Sequence, residues 1–208
     1  MYYMKKKEID FYFDPICPWC WNTSRWIKEV EKQRDLNIHW KSFSLYKKNE
    51  DNLDDLYREI SLKTHKMLRL IEAARSKYGD DIIDSLYTKL GILVHYSKKT
   101  DEEDIRDILP DNLDKDYLIS AMEDISWDKV ILDSMQDAFD IVGNDVGTPI
   151  IVIKSKNKDL GYFGPVITQV PTGDKALSLW DSFIELCEYE HFYEIKRVRE
   201  EDPILPEI

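Results

Sequence analysis

Two cysteines separated by two residues, in Cys17-Pro18-Trp19-Cys20, are the clearest chemical signal in the sequence. Thiolates at this spacing can bind a zinc ion, or can form and break a disulfide with each other. A structural zinc site needs four ligands, and no second pair of ligands is spaced to complete one. The other candidates are Cys187, His39, His65, His95 and His191. The pattern therefore favours a redox-active dithiol, and no metal is expected.

The residues around the motif predict the elements that position it. Alternating, aromatic-rich residues 8–13 predict a strand that ends at Asp14-Pro15. Apolar positions that include Ile27 and Val30 predict a helix from the motif to about residue 34, and alternation over 37–45 predicts a second strand. A CxxC motif within a β-α-β unit of a chain without a secretory pattern is typical of thioredoxin-like redox proteins.

A position at the start of a helix gives the two thiols different roles. The backbone N–H groups and the positive end of the helix dipole stabilise a thiolate at Cys17. Pro18 suits the first turn because its missing N–H would have no helical partner there. We expect Cys17 to be the exposed, attacking sulfur and Cys20, one turn later, to be the enclosed, resolving one. For Asp14, a turn or capping role and a role in tuning the thiols both stay open.

Residues 51–143 have helical periodicity and almost no glycine or proline, which predicts an all-helical insertion. The apolar positions of its first helix are Leu56, Ile60, Met67, Ile71 and Ala74. Thr100 with Glu103 predicts a capping box at the start of a later helix. Strands are expected again at 150–153 and about 160–163, then a helix after residue 173 and an extended tail from residue 189. The sequence thus predicts an α/β, thioredoxin-like fold formed by residues 1–50 and 144–208.

Thr148-Pro149 opens the predicted third strand, about 130 residues after the motif. Most X–Pro bonds are trans, but thioredoxin folds place a cis-proline facing the dithiol at this position. We therefore expect a cis bond here, with Thr148 and Pro149 contributing to substrate binding.

Composition limits the possible partners and compartments. The 208 residues carry 29 Lys and Arg against 41 Asp and Glu, a net charge of −12, which repels phosphate backbones and excludes nucleic acid as an expected partner. No apolar run reaches the length of a secretory core or a membrane helix, so we expect a cytoplasmic protein that does not bind membranes. The sequence holds no GxGxxG motif after a strand, so a dinucleotide cofactor has no support.

Several segments resemble the actinobacterial mycothiol-dependent nitroreductases, which are DsbA-like thioredoxin-fold proteins related to FrnE-type oxidoreductases. The segments are Asp14-Pro-Ile-Cys-Pro-Trp-Cys-Trp21, Thr23-Ser-Arg-Trp-Ile27, Asp145-Val-Gly-Thr-Pro149, Tyr162-Phe-Gly-Pro-Val166 and His191-Phe-Tyr-Glu-Ile-Lys-Arg197. The resemblance runs in register to about Arg199 and includes the helical insertion.

The resemblance implies a cytoplasmic, dimeric reductase that takes electrons from a low-molecular-weight thiol, mycothiol or an equivalent, and accepts nitro-aromatic compounds or small disulfides. It implies no tightly bound cofactor. The family's active dithiol falls on Cys17 and Cys20 and its cis-proline on Pro149. By motif position, the pocket candidates are Trp19, Asn49 and His95.

Other interpretations of the pocket candidates and of the function remain open. For His95 a partly buried structural histidine is the default interpretation, and Asn49 can simply be a turn residue. Cys187 lies on an apolar helix stripe and is expected to be a small buried hydrophobe. The alternative functions are a protein disulfide oxidase or isomerase, and a non-enzymatic redox-sensing or chaperone-like module.

Overall fold

The computed structural model describes residues 6–208, and among them it contains four strands and eight α-helices, a mixed α/β fold as predicted. The strands are β1 (Lys7–Phe13), β2 (Leu36–Ser42), β3 (Ile150–Ile153) and β4 (Leu160–Phe163). The helices are α1 (Pro18–Glu31), α2 (Leu45–Asn49), α3 (Asp55–Tyr78), α4 (Ile83–His95), α5 (Glu102–Ile108), α6 (Lys115–Ala121), α7 (Asp128–Val142) and α8 (Gly173–Glu188). Short 3-10 turns precede α4 and α7.

The strands form one sheet in the order β2-β1-β3-β4. β3 is antiparallel to both of its neighbours: Ile150 pairs with Tyr12 of β1 and with Phe163 of β4. All four residues of β3 are buried, which accounts for its uninterrupted apolar sequence. The register places the start of β3 at the end of the sheet where β1 leads into the dithiol motif.

The chain divides into two compact units. Residues up to Tyr12 together with Pro18–His39 and Ala138–Ile208 form one, here called the sheet unit. Phe13–Cys17 and Trp40–Asp137 form the other, here called the helical unit. The long segment of the helical unit runs from residue 40 to residue 137, and the unit also includes the short segment with Cys17. The insertion expected at 51–143 stays a prediction.

Aromatic packing explains why the residues at the ends of β1 and β2 belong to the helical unit. The ring of Phe13 lies 4.2 Å from the ring of Tyr87 on α4 and 6.1 Å from that of Trp40, centroid to centroid. The rings of Trp40 and Tyr87 are themselves 5.4 Å apart. Aromatic groups at these separations attract each other beyond simple burial. This cluster holds the strand ends to α4.

A buried polar network links α3 with other parts of the helical unit. His65 of α3 is fully buried, and its two ring nitrogens lie 2.9 Å from Ser44 Oγ and 2.9 Å from Asp128 Oδ1. Arg69 donates to both carboxylate oxygens of Asp128, at 2.6 and 3.1 Å. Ser44 Oγ also accepts the N–H of Lys47 and so caps α2. Sequence periodicity gave no sign of this network.

Two residues of the predicted apolar face of α3 are not covered. Met67, Ile71 and Ala74 are buried as expected, whereas Leu56 is 71% and Ile60 36% exposed. Periodicity shows which face of a helix is apolar but not how far along the helix that face is covered.

In the sheet unit, α8 holds α1, the helix that carries Cys20. The indole N–H of Trp26 donates to the carbonyl of Ala176 at 3.0 Å, and the Trp26 ring lies 5.8 Å from that of Trp180. Both tryptophans are buried. Breaking a hydrogen bond between a buried donor and a buried acceptor is costly.

We expect Trp26→Phe to lower the free energy of unfolding by about 1–3 kcal/mol, because it removes ring volume and the buried hydrogen bond from the indole N–H to the Ala176 carbonyl. Urea denaturation followed by circular dichroism measures the change. Tyr193→Phe is the control, because Tyr193 is 81% exposed and its change should stay within about 0.5 kcal/mol. Equal losses in the two variants would contradict this account of α1.

Candidate active site: a dithiol at the start of a helix

The two cysteines of the motif lie at the first turn of α1. Cys17 is the residue before the helix, and its N–H donates to the carbonyl of Asp14 at 3.1 Å. Cys20 is the third residue of the helix. Both are thiols, and Cys17 retains 6% of its surface accessible while Cys20 retains none. The expected order of exposure is present, although Cys17 is far less exposed than the sequence suggested.

The charge around the start of α1 suits a thiolate. The first turn of α1 has no acidic side chain, so nothing within that turn offsets the positive end of the helix dipole. A thiol beside such a helix end loses its proton more readily than a thiol in neutral surroundings. In a chain of net charge −12, this local arrangement favours an anionic sulfur.

Cys20 and Pro149 approach the same end of the sheet from different elements of the sheet unit. Cys20 Sγ lies 3.7 Å from the carbonyl oxygen of Tyr12, and Tyr12 pairs with Ile150, the residue after Pro149. The Thr148–Pro149 peptide bond is cis, as the sequence predicts. Thr148 is buried, and the Pro149 carbonyl accepts the N–H of Gly164 at 2.8 Å.

Asp14 is the most perturbed acid at the site. Its carboxyl group is completely buried, with Oδ1 accepting the N–H of Ile16 at 2.9 Å and Oδ2 the N–H of Leu45 at 2.7 Å. Burial raises the pKa of Asp14 to about 7, although these bonds and one from the Thr64 side chain act in the opposite direction. Asp14 thus has the turn role that the sequence left open, and its role in tuning the thiols stays a prediction.

Tyr57 of α3 is a site residue that sequence reasoning did not single out. Burial raises the pKa of its hydroxyl, and the negative charges of Asp14 and Cys17 raise it further. Tyr57 therefore lies within electrostatic reach of the Cys17 sulfur. Its side chain is 42% exposed and is flanked by the exposed Leu56 and Ile60. Its sequence neighbours gave no signal, because only the fold brings α3 to the motif.

His95 supports the loop before the dithiol. The ring donates a hydrogen bond to the backbone of Pro15, and only 5% of the residue is exposed. Burial, together with the charge of Lys98, lowers the pKa of His95 to about 4. The imidazole is therefore neutral at pH 7 and holds the backbone two residues before Cys17.

The other two pocket candidates differ in their surroundings. Asn49 ends α2, and its side-chain amide donates to the carbonyl of Leu45 at 2.9 Å, within its own helix. Trp19 is half-buried, and the guanidinium carbon of Arg199 lies 5.3 Å from the centre of its ring.

Cys187 on α8 is separate in character from the dithiol. It is buried, and that burial raises the pKa of its thiol to about 12, so it stays protonated and unreactive at neutral pH.

Within residues 6–208, no three His, Cys, Asp or Glu side chains are grouped so that they could hold a metal ion. No helix in the described part of the chain is long and apolar enough to span a membrane.

The fold and the dithiol define a thiol-dependent oxidoreductase of the DsbA-like, thioredoxin-fold class. The chain belongs to the Rv2466c-like family, described as mycothiol-dependent nitroreductase Rv2466c, whose sequence pattern matches residues 16–197. It is also 28% identical over 202 residues to the uncharacterized protein Rv2286c of Mycobacterium tuberculosis strain H37Rv, an alignment that covers 91% of this chain and 81% of that protein.

Solved structures show the same fold at low sequence identity. The cytosolic disulfide reductase DsbM from Pseudomonas aeruginosa superposes with a TM-score of 0.59 at 10% identity, over 86% of this chain and 99% of its own. A candidate protein disulfide isomerase from Nitrosomonas europaea gives 0.61 at 12% identity, over 87% and 98%. Pseudomonas aeruginosa DsbA gives 0.52 at 17% identity, over 89% and 85%.

The titration of Asp14 predicts an unusual pH dependence of stability. Since the folded carboxyl keeps its proton up to about pH 7 and the usual value is 3.8, the folded state binds more protons between these limits, and stability falls as pH rises. Asp14→Asn, which cannot ionise, should remove this slope of up to about 1.4 kcal/mol per pH unit.

Urea unfolding at pH 5, 6, 7 and 8 measures the slope. The variant is expected to be less stable at pH 5, because its amide can accept from only one of the two backbone N–H groups. Asp111→Asn, at an exposed carboxylate, should leave the wild-type slope in place. A wild-type slope that persists in Asp14→Asn would show that another group causes it.

Proposed function

We propose that this protein is a cytoplasmic reductase that uses the Cys17–Cys20 dithiol, takes its electrons from a low-molecular-weight thiol of the mycothiol type, and reduces small disulfides or nitro-aromatic compounds. One observation carries the proposal. In a chain of a thiol-dependent enzyme family, one cysteine at the start of a helix keeps some accessible surface and its partner one turn later has none. This is the asymmetry that an attacking and a resolving thiol need.

The reduction of a small disulfide then takes two exchange steps. The Cys17 thiolate attacks one sulfur of the substrate, so that a mixed disulfide forms and the other half leaves as a thiolate that takes up a proton. The Cys20 thiolate, having released its proton, attacks Cys17 Sγ; the second half of the substrate leaves as a thiol, and the protein holds a Cys17–Cys20 disulfide. Two electrons have passed from protein to substrate.

The low-molecular-weight thiol restores the dithiol by the reverse chemistry. One thiolate attacks Cys17 Sγ and releases Cys20, and a second thiolate attacks the small-molecule sulfur of the resulting mixed disulfide. The products are the reduced dithiol and the oxidised small-molecule disulfide. For a nitro-aromatic substrate, the dithiol gives two electrons and two protons, so the nitro group becomes a nitroso group and water is released.

Separate groups of residues support binding and positioning in this proposal. In the helical unit, Tyr57 with the exposed Leu56 and Ile60 provides an apolar, aromatic surface within reach of the charge at Cys17, suited to a planar substrate. Asn49 and His95, both proposed for the pocket from the resemblance, are assigned a positioning role because each bonds to backbone. In the sheet unit, Trp19, Thr148 and Pro149 are assigned to substrate binding.

The comparisons support the choice of compartment and thiol. The name of the family supports mycothiol, whereas the related DsbM structure contains glutathione and is described as cytosolic.

The homodimer that the resemblance implies stays a prediction, which light scattering on the purified protein tests.

Substitutions of the three cysteines test the proposed roles. Cys17→Ser should reduce nitro-aromatic and disulfide turnover with a thiol donor by at least about 100-fold, because the attacking sulfur is removed. Cys20→Ser should accumulate a mixed disulfide on Cys17, which intact-protein mass spectrometry detects. Cys187→Ala is the control and should keep wild-type turnover. A mixed disulfide that forms on Cys20 in Cys17→Ser, at the same rate as on Cys17 in Cys20→Ser, would contradict the assignment.

The reduction potential separates a reductase from an oxidase. A proline-aromatic pair between the cysteines resembles glutaredoxin-type motifs, so we expect about −200 to −230 mV. Redox titration in glutathione buffers, read by alkylation and mass spectrometry, gives the value. A potential near about −120 mV would favour the alternative function, a protein disulfide oxidase.

A further inference from the structure

The loop after β4, residues 164–172, joins two parts of the sheet unit by hydrogen bonds, and we call it the β4 loop. The N–H of its first residue, a glycine, donates to the carbonyl of Pro149 at 2.8 Å. The carbonyl of its second residue, Pro165, accepts the hydroxyl of Thr23 at 2.7 Å. Thr23 is completely buried and lies on α1, three residues after Cys20. Consecutive residues of the β4 loop therefore bind the residue before β3 and the helix that carries Cys20.

Asn22 fastens α1 to the same loop at a second place. Its side-chain amide donates to the carbonyls of Ile167 at 3.2 Å, Thr168 at 2.8 Å and Ile204 at 3.1 Å. The N–H of Ile204, near the end of the C-terminal tail, also donates to the carbonyl of Thr168, at 2.8 Å. Asn22 is completely buried and is the second residue after Cys20. Helix, loop and tail therefore meet at the Thr168 carbonyl.

The buried amide of Asn22 also carries a cost. Its own side-chain oxygen is buried and has no hydrogen-bond partner among residues 6–208, and an unpaired buried acceptor is unfavourable. Such an atom in a native protein calls for an explanation. An apolar side chain could fill the same volume, but only a donor can fix the place of α1 against the carbonyls of the β4 loop and the tail.

The place of α1 matters because Cys20 lies in the same stretch of helix. Cys20 and Thr23 are three residues apart, so they are neighbours on one face of α1. The Cys20 sulfur is 3.7 Å from the carbonyl oxygen of Tyr12 on β1. The backbone of this turn is thus held by the β4 loop, while its thiol lies against the end of the sheet.

We propose that Asn22 and Thr23 are positioning residues that hold Cys20 where it can attack a mixed disulfide on Cys17. The inference rests on the proposed function, in which Cys20 is the resolving thiol, and names the residues that set the rate of that step. In it, the Cys20 sulfur forms the bond to Cys17 Sγ, and the second half of the substrate leaves with the electron pair of the broken bond. A displacement of about 1 Å can cost such a reaction about 100-fold in rate.

The reaction of the reduced protein with dithiobis-nitrobenzoate, an aromatic disulfide, measures both exchange steps in one stopped-flow trace. Attack by Cys17 releases one coloured thionitrobenzoate, and resolution by Cys20 releases the second. We expect two phases of equal amplitude in the wild type. Thr23→Val, which keeps the shape but removes the hydroxyl donor, and Asn22→Ala should each slow the second phase at least about tenfold and leave the first unchanged.

Two further variants separate a loss of position from a loss of stability. Thr23→Ser keeps the hydroxyl donor and should keep the wild-type rate of both phases. Tyr162→Phe removes a hydrogen bond of the same kind, from the Tyr162 hydroxyl to the carbonyl of Phe192, which does not involve α1, so both phases should again match the wild type. Urea unfolding shows that each variant is folded where rates are measured, and Thr23→Val decides the test if Asn22→Ala does not fold.

An unchanged second phase in Thr23→Val, or equal slowing of both phases, would overturn the proposal. Failure of the proposed function is a different result. A wild-type protein that releases both thionitrobenzoates but is reduced again by no low-molecular-weight thiol would contradict the proposed electron donor, whereas the second phase alone decides the positioning role.

Discussion

The arrangement of the site depends on one buried carboxyl group that accepts from two separate pieces of backbone. Asp14 joins the N–H of Ile16, the residue before Cys17, to the N–H of Leu45 at the start of α2. A charge without water is unstable there, so the group keeps its proton up to about pH 7. The helical unit thus fixes the approach to Cys17 with a group that is itself close to titration.

The two ends of the dithiol motif are held by different physical means. Before Cys17, the Asp14 carboxyl group accepts the N–H of Ile16 and the neutral His95 ring donates to the backbone of Pro15, and both bonds fix the turn. After it, α1 is held through Trp26, whose indole pairs with a carbonyl of α8. The contacts before Cys17 are polar and depend on the protonation of Asp14 and His95. The contacts of Trp26 are largely apolar and do not depend on pH. Acid and base should therefore act on the turn before they act on the helix.

Local patterns predicted the elements near the motif well. The strands Ile150–Ile153 and Leu160–Phe163 were predicted from their strand-forming residues, the first directly after Thr148-Pro149, and a helix was predicted to follow the motif. Features that depend on contacts between residues far apart in the sequence could not be predicted from local patterns. Tyr57 comes within electrostatic reach of Cys17 only through the fold of the helical unit, and α2 was not predicted, because the strand expected over 37–45 ends where this helix begins. The capping box failed because Asp101 is the residue before α5, with its carboxylate bound to Lys63 rather than to the helix.

The network of Ser44, His65, Arg69 and Asp128 has a consequence for how this sequence can change over time. Each member satisfies another, so losing one leaves a buried donor, acceptor or charge without its complement. A single replacement in this network should therefore lower the stability of the fold. Replacing all four residues together by apolar residues of similar volume should not. We therefore expect the four positions to be kept together or replaced together among related sequences. Their residue types should change less often than those of the exposed surface around them.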